Sequence, residues 1–103
     1  LGDVYKRQIL RYKDLTLDTD SFTVLVKDES VSLTIREFEI LKLLVENQGR
    51  GFTRESLLDS IWGYDYFGDE KIVNTHIKNI RKKLGVDYIE TIRGAGYRIE
   101  KEN

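Results

Sequence analysis

A capping box near residue 34 divides this chain into a part that favours strands and a part that favours helices. Thr34 and Glu37 have the spacing at which two side chains satisfy free amide groups at a helix start. Apolar residues then recur at helical spacing, at Phe38, Leu41, Leu44 and Val45. The sequence therefore predicts a helix that begins at the capping box and ends at residues 47–49, where Asn and Gly occur.

Four short apolar runs precede this helix, and Asp, Ser and Lys residues separate them. Runs of this length with polar breaks are typical of short strands joined by turns. They predict a small antiparallel meander with strands at Ile9–Tyr12, Leu15–Leu17, Phe22–Val26 and Ser30–Leu33.

The second half of the chain predicts two more helices and a hairpin. Thr53 can cap a helix that ends at Gly63, and Asp69 can cap a helix that runs to about Leu84. Two strands then surround a turn with two glycines, which permit a tight hairpin. The strands are Tyr88–Ile92 and Tyr97–Ile99, and the turn is residues 93–96.

Composition limits the chemistry that is open to this chain. The 103 residues suffice for one small domain, and there is no run of about 18 apolar residues to span a membrane. Without cysteine and with a single histidine, disulfides, cysteine catalysis and multi-histidine zinc sites are excluded. Motifs for phosphate loops, dinucleotides and serine nucleophiles are absent. We therefore predict a protein that is not an enzyme and that has no cofactor or metal.

The chain has no methionine, even at position 1, so we expect it to be a processed or excised piece of a longer protein. Residues 1–8 have neither the apolar stretch nor the cleavage site of a secretory signal. We interpret residues 1–8 as a linker or cloning remnant and assign residues 9–103 to one domain.

The charge distribution is strongly asymmetric although the formal net charge is only −1. Residues 14–46 contain three basic and eight acidic residues, a net charge of −5. Residues 71–98 contain seven basic and two acidic residues, a net charge of +5. A basic segment in an otherwise acidic chain indicates an anionic partner, although a solvated helix face would explain the charges equally well.

The third predicted helix places the basic residues of this segment on one side. At 100° per residue, an apolar side formed by Val73, Ile77, Ile80 and Leu84 lies opposite a polar side. That polar side has no acidic residue after Glu70, unlike ordinary surface helices, which mix charges. Such a helix fits the major groove of DNA, with phosphates and base edges within reach. Its polar residues are Lys71, Asn74, Thr75, Lys78, Asn79, Arg81 and Lys82.

The predicted hairpin places Arg93 at an exposed tip directly after this helix. An arginine at a glycine-rich tip can enter a narrow minor groove. Taken alone, such a tip is more simply a surface turn. A basic helix followed by a hairpin describes a winged helix-turn-helix.

Four segments of the sequence resemble the C-terminal effector domain of OmpR/PhoB-family response regulators. They are LTIREFEILKLL at 33–44, FTRESLLDSIWG at 52–63, EKIVNTHIKNIRKKL at 70–84 and IETIRGAGYR at 89–98. The resemblance implies an α+β winged helix-turn-helix with an N-terminal four-stranded antiparallel sheet, three helices and a C-terminal hairpin wing.

The resemblance also implies roles for individual residues. Lys71, Thr75, Lys78 and Asn79 match positions where the family's recognition helix meets bases or phosphates. His76 and Arg81 match backbone contacts, and Thr91, Arg93 and Tyr97 match wing positions near phosphate or the minor groove. The loop formed by Tyr64, Asp65, Tyr66, Phe67, Gly68 and Asp69 matches a segment that contacts RNA polymerase in some members.

The function implied is sequence-specific binding of double-stranded DNA by the output domain of a cytoplasmic two-component transcription regulator. The resemblance further implies an N-terminal receiver domain in the full-length chain, homodimers on DNA and tandem half-sites. Two alternatives remain open at this point. One is a winged-helix module that binds protein instead of DNA, and the other is the DNA-binding domain of a membrane-anchored one-component regulator.

Overall fold

The computed structural model describes residues 8–64 and 66–102. The predicted linker, apart from Gln8, lies outside the described residues. In the part of the chain that is described, four strands come first, then three helices and a hairpin, with one two-residue strand between the first two helices. This order of strands, helices and hairpin confirms the predicted α+β class. The elements are β1 (Ile9–Tyr12), β2 (Leu15–Asp18), β3 (Thr23–Val26), β4 (Glu29–Val31), α1 (Ile35–Glu46), β5 (Phe52–Thr53), α2 (Arg54–Ile61), α3 (Lys71–Leu84), β6 (Ile89–Ile92) and β7 (Gly96–Ile99).

The N-terminal strands form the predicted antiparallel meander in the order β1-β2-β3-β4. Alternate residues of β2 and β3 point into the core, and the register pairs Leu15 with Val26 and Leu17 with Val24. The prediction that β3 begins at Phe22 is wrong by one residue. Phe22 adopts a φ of 56°, in the left-handed region, and therefore belongs to the preceding turn.

The capping box at the start of α1 is present as predicted. The amide of Glu37 donates to Oγ1 of Thr34 at 3.2 Å, and the amide of Thr34 donates to Oε1 of Glu37 at 2.9 Å. Glu37 does not face solvent, although an acidic residue on a surface helix usually does. The residue is only 2% exposed, and Nζ of Lys83 on α3 lies 2.7 Å from its Oε1.

Helix α2 begins at the predicted cap, since Oγ1 of Thr53 accepts a hydrogen bond from the amide of Ser56 at 3.0 Å. Helix α3 begins at Lys71, and Glu70 occupies the cap position in place of the predicted Asp69. Asp69 still helps to start it, because Oδ1 of Asp69 accepts from the Lys71 amide at 2.9 Å. At the other end, Gly85 adopts a φ of 70° and ends the helix directly after Leu84, as predicted.

The C-terminal hairpin, which we call the wing, extends from β6 through residues 93–95 to β7. It belongs to a three-stranded sheet in the order β5-β7-β6, so the start of α2 is hydrogen-bonded to the wing. Gly96 makes this pairing possible, because a Cβ at that position would lie 1.9 Å from the carbonyl oxygen of Phe52. Gly94 supplies the left-handed turn conformation, with a φ of 76°.

All three helices and both sheets contribute to one continuous hydrophobic cluster. The apolar side predicted for α3 is buried in it, at Val73, Ile77, Ile80 and Leu84. The N-terminal sheet is also joined to the end of the wing, since the Tyr12 hydroxyl on β1 donates to the carbonyl oxygen of Glu100, just after β7, at 2.7 Å. This packing fixes which side of α3 remains outside.

Candidate nucleic-acid interface

One side of α3 is exposed along its whole length. It is formed by residues spaced three or four apart, which places them on the same helix face: Lys71, Thr75, Lys78 and Lys82. The helix contains no acidic residue. The structure therefore brings these four predicted contact residues together on an uninterrupted basic surface, which we call the basic face.

Neighbouring charges do not neutralise the basic face. Glu70, just before the helix, forms an ion pair with Arg54 at the start of α2, with Nη2 and Oε1 3.5 Å apart. Lys83 points to the other side of α3, where it binds Glu37. The basic residues of the last turn also lie at the negative end of the helix dipole, where cations are favoured.

The tip of the wing is open to solvent at Arg93, Gly94 and Ala95. The amide of Ala95 donates to the carbonyl oxygen of Ile92 at 2.9 Å, which closes the turn. A groove lined by Asn74, Thr91 and Tyr97 separates the wing from α3. Helix and wing thus form the two borders of one groove.

Four of the predicted contact residues bind one another across this groove. The Tyr97 hydroxyl donates to Oδ1 of Asn74 at 2.6 Å, and Nη2 of Arg81 donates to Oγ1 of Thr91 at 2.8 Å. Arg81 also lies over the Tyr97 ring, with its Cζ 5.7 Å from the ring centre. The sequence patterns did not predict this network. The seven-residue spacing of Asn74 and Arg81, which is two helical turns, was the available signal.

His76 lies at the edge of the basic face and is half-buried. Its Nδ1 is 2.8 Å from the carbonyl oxygen of Ile72, so Nδ1 carries the proton of that hydrogen bond. The ring packs edge-on against Trp62, with centres 5.1 Å apart. Asn79, the remaining predicted contact on α3, is also half-buried.

The loop between α2 and α3 carries two strongly exposed aromatic residues, Tyr64 at 86% and Phe67 at 95%. Tyr66 differs from them, because it packs on the domain with its ring centre 6.0 Å from that of Trp62. Gly68 lies against the Tyr66 ring. Asp65, also predicted to belong to this partner surface, lies outside the described residues.

Two kinds of feature were not found in the described part of the chain. No group of three or more His, Cys, Asp or Glu side chains is arranged to hold a metal ion there. No helix among those residues is long and apolar enough to cross a membrane.

These features define a winged helix of the OmpR/PhoB type. Residues 28–99 match the family model described as "Transcriptional regulatory protein, C terminal". The regulatory protein VanRB of Enterococcus faecalis is 54% identical over 87 residues, which are 84% of this chain and 40% of VanRB. The chain therefore belongs to this family of transcription regulators, which are not enzymes, and it spans less than half of that relative's length.

Solved structures agree with this assignment. The response regulator DrrB of Thermotoga maritima, an OmpR/PhoB homologue, has a TM-score of 0.82 and 38% identity, covering 90% of this chain and 44% of DrrB. The DNA-binding domain of Klebsiella pneumoniae RstA in complex with the RstA box has a TM-score of 0.77 and 29% identity. That match covers 93% of this chain and 98% of the RstA domain.

Proposed function

We propose that this domain binds double-stranded DNA in a sequence-specific manner, as the output domain of a two-component response regulator. The observation that carries the proposal is the acid-free, exposed basic face of α3 beside the wing. An α-helix fits the major groove, and lysines along it neutralise phosphates and release their counterions. RstA, a relative of similar fold, is a DNA-binding domain solved in complex with its box.

The side chains divide by chemistry into two proposed roles. Lys71 and Lys82 are cationic and exposed, so they can contact phosphates, whereas the exposed Lys78 can donate to the base edge of guanine. Thr75 and Asn79 have short polar side chains suited to base edges. Arg93 is exposed at the wing tip and is proposed to enter the adjacent minor groove. His76, at the edge of the basic face, is proposed to face the DNA backbone.

The same proposal covers the full-length protein. A receiver domain would precede this domain, and its phosphorylation would promote homodimers that occupy tandem half-sites in the cytoplasm. The exposed Tyr64 and Phe67 are the part of the α2–α3 loop best placed to contact RNA polymerase, since exposed aromatic residues are enriched at protein interfaces.

A salt titration with duplex DNA tests the proposal. We expect the domain to bind random duplexes weakly, with an affinity that falls steeply between about 50 and 200 mM salt. Selection from a random duplex pool should then yield a defined sequence that binds at least about 1,000-fold more tightly. Weak binding without a salt dependence would contradict the proposal.

The exposed aromatic pair in the α2–α3 loop favours one alternative, a winged-helix module that binds protein only. A Tyr64→Ser, Phe67→Ser double variant separates the two possibilities. Under our proposal, this variant binds duplex DNA as the wild type does and loses only transcription activation. A protein-only module would show no salt-dependent DNA binding in either form.

A further inference from the structure

We propose that Arg81 and Tyr97 are positioning residues, which fix the angle between α3 and the wing and act on DNA through Arg93. The inference rests on the proposed function, because it requires that α3 and the wing contact the same duplex. It replaces our sequence-based expectation, which placed both side chains directly against DNA.

The guanidinium of Arg81 is occupied by the base of the wing. Its Nη2 donates to the carbonyl oxygen of Ile89 at 2.7 Å and to Oγ1 of Thr91 at 2.8 Å, which uses both protons of that nitrogen. Its Nε is buried and has no hydrogen-bond partner in the described part of the chain. This Nε forms an ion pair with Oδ1 of Asp87 at 3.8 Å. Bidentate phosphate binding needs two adjacent free donors, so Arg81 cannot bind a phosphate in this way without releasing the wing.

Tyr97 is similarly committed to the protein. It lies in the central strand of the three-stranded sheet, opposite Phe52 on β5 and Thr91 on β6. Only 9% of the residue is exposed, and its hydroxyl proton goes to Oδ1 of Asn74. A buried hydroxyl with its proton already donated has little to offer a phosphate oxygen.

Two attachment points along α3 hold the wing at a defined angle. Asn74 and Arg81 are seven residues apart, which corresponds to about 10.5 Å along the helix axis. A single attachment would let the wing pivot, whereas two attachments at this separation oppose rotation. The wing strands are about 13 Å long, so a rotation of about 15° at the base would move the tip by about 3 Å. That displacement is enough to break a hydrogen bond made by Arg93.

A double-mutant cycle with Arg93 tests the inference. Arg81→Lys keeps the positive charge but loses the planar fork, and Tyr97→Phe removes only the hydroxyl. Each change is measured alone and together with Arg93→Ala on the selected duplex. We expect each single change to weaken binding about three- to tenfold and to have almost no further effect once Arg93 is absent. If the loss of binding free energy in each double variant equals the sum of the losses in its two single variants, Arg81 and Tyr97 contact DNA independently of Arg93. That result would overturn the inference.

Amide hydrogen exchange in the DNA-free domain provides a second measurement, which does not depend on the proposed function. We expect faster exchange at the hydrogen-bonded amides of β6 and β7 in both variants. The control is Arg36→Lys, because Arg36 also donates to a carbonyl oxygen, that of Ile61 at 2.6 Å, and lies 5.4 Å from an aromatic ring centre, that of Trp62. This control should leave wing exchange unchanged.

The outcomes separate the two claims. If the wild-type domain fails to bind duplex DNA, the proposed function is wrong, and the exchange data alone decide whether Arg81 and Tyr97 hold the wing. Unchanged wing exchange in both variants would overturn the positioning role even if DNA binding is normal.

Discussion

Glu37 is the buried carboxylate that joins α1 to α3, and its environment makes stability depend on pH. Burial raises the pKa of the Glu37 carboxyl, but the hydrogen bonds from Lys83 and the Thr34 amide outweigh burial and leave that pKa below its ordinary value. The carboxylate therefore stabilises the fold at pH values above the ordinary pKa of about 4.5. This contribution is lost as the pH falls through the lowered pKa of the folded state.

We expect Glu37→Gln to lower the free energy of unfolding by about 1.5–3 kcal/mol at pH 7, because the glutamine retains the cap but cannot balance Lys83. Urea denaturation at pH 7 and at about pH 3 measures this, and the difference from wild type should shrink at the lower pH. Glu39→Gln is the matched control, since Glu39 is partly exposed and its Oε2 lies 3.6 Å from Arg36. A loss that is equal at both pH values would contradict this account.

Lys82 lies on the exposed basic face, where it is expected to contact a phosphate and no base. Lys82→Ala should weaken binding to all duplexes alike and reduce the slope of log Kd against log salt by about one. Lys42→Ala on α1 is the control and should change neither quantity. If Lys82→Ala left the affinity unchanged at every salt concentration, the basic face of α3 would not be the surface that contacts DNA.

Lys78 and Asn79 are expected to set base preference. Replacing either with alanine should relax selectivity at one or two base positions by about 1–3 kcal/mol each, and competition with single-base variants of the selected site measures this. A uniform loss across all sequences would instead indicate phosphate contacts.

At the scale of elements, two hairpin turns with the same Lys-Asp sequence adopt different conformations. In the β3–β4 turn, Lys27 and Asp28 have φ values of 52° and 67°, whereas in the β1–β2 turn only Lys13 is positive, at 51°. Glycine adopts positive φ without steric cost, and Asp-to-Gly changes at such sites suit two-residue hairpins. We expect Asp28→Gly to raise the free energy of unfolding by about 0.5–1 kcal/mol.

Asp14→Gly is the control for this prediction, because Asp14 occupies the equivalent place in the β1–β2 turn without a positive φ. At Asp14 a glycine relieves no steric cost, and it adds flexibility to the unfolded chain. The free energy of unfolding should therefore fall by about a few tenths of a kcal/mol or more. Thermal denaturation of both variants gives the comparison. If the two substitutions changed the free energy of unfolding equally, the φ angle of the replaced residue would not be the cause of the change.

Local signals explain which elements were predictable from sequence. The starts of α1 and α2 follow from caps that depend on neighbours three residues away, and the buried side of α3 follows from its periodicity. The position of Phe22 was not predictable in this way, because its ring packs against Phe38, 5.3 Å away, while its backbone occupies a turn. The contacts of Arg81 and Lys83 join distant segments and required the tertiary structure.

At the scale of the whole molecule, charge separation bears on how two copies would share DNA. Each copy carries a segment of net charge −5 at residues 14–46 and one of +5 at residues 71–98. A two-fold arrangement brings the same surface of each copy together, whereas a head-to-tail arrangement joins different surfaces. A head-to-tail arrangement can therefore bring the acidic segment of one copy against the basic segment of the next, and on DNA it corresponds to a direct repeat of half-sites.

We expect the isolated domain to bind cooperatively to two selected half-sites arranged as a direct repeat about 10–11 base pairs apart, which places both copies on the same side of the duplex. An inverted repeat, or a direct repeat lengthened by half a helical turn, should bind two copies independently. The cooperativity should also weaken as salt rises, because the attraction between exposed charges is screened. If two copies bind independently to every arrangement, homodimerisation through this domain is refuted. The proposal that one copy binds one half-site would not be affected.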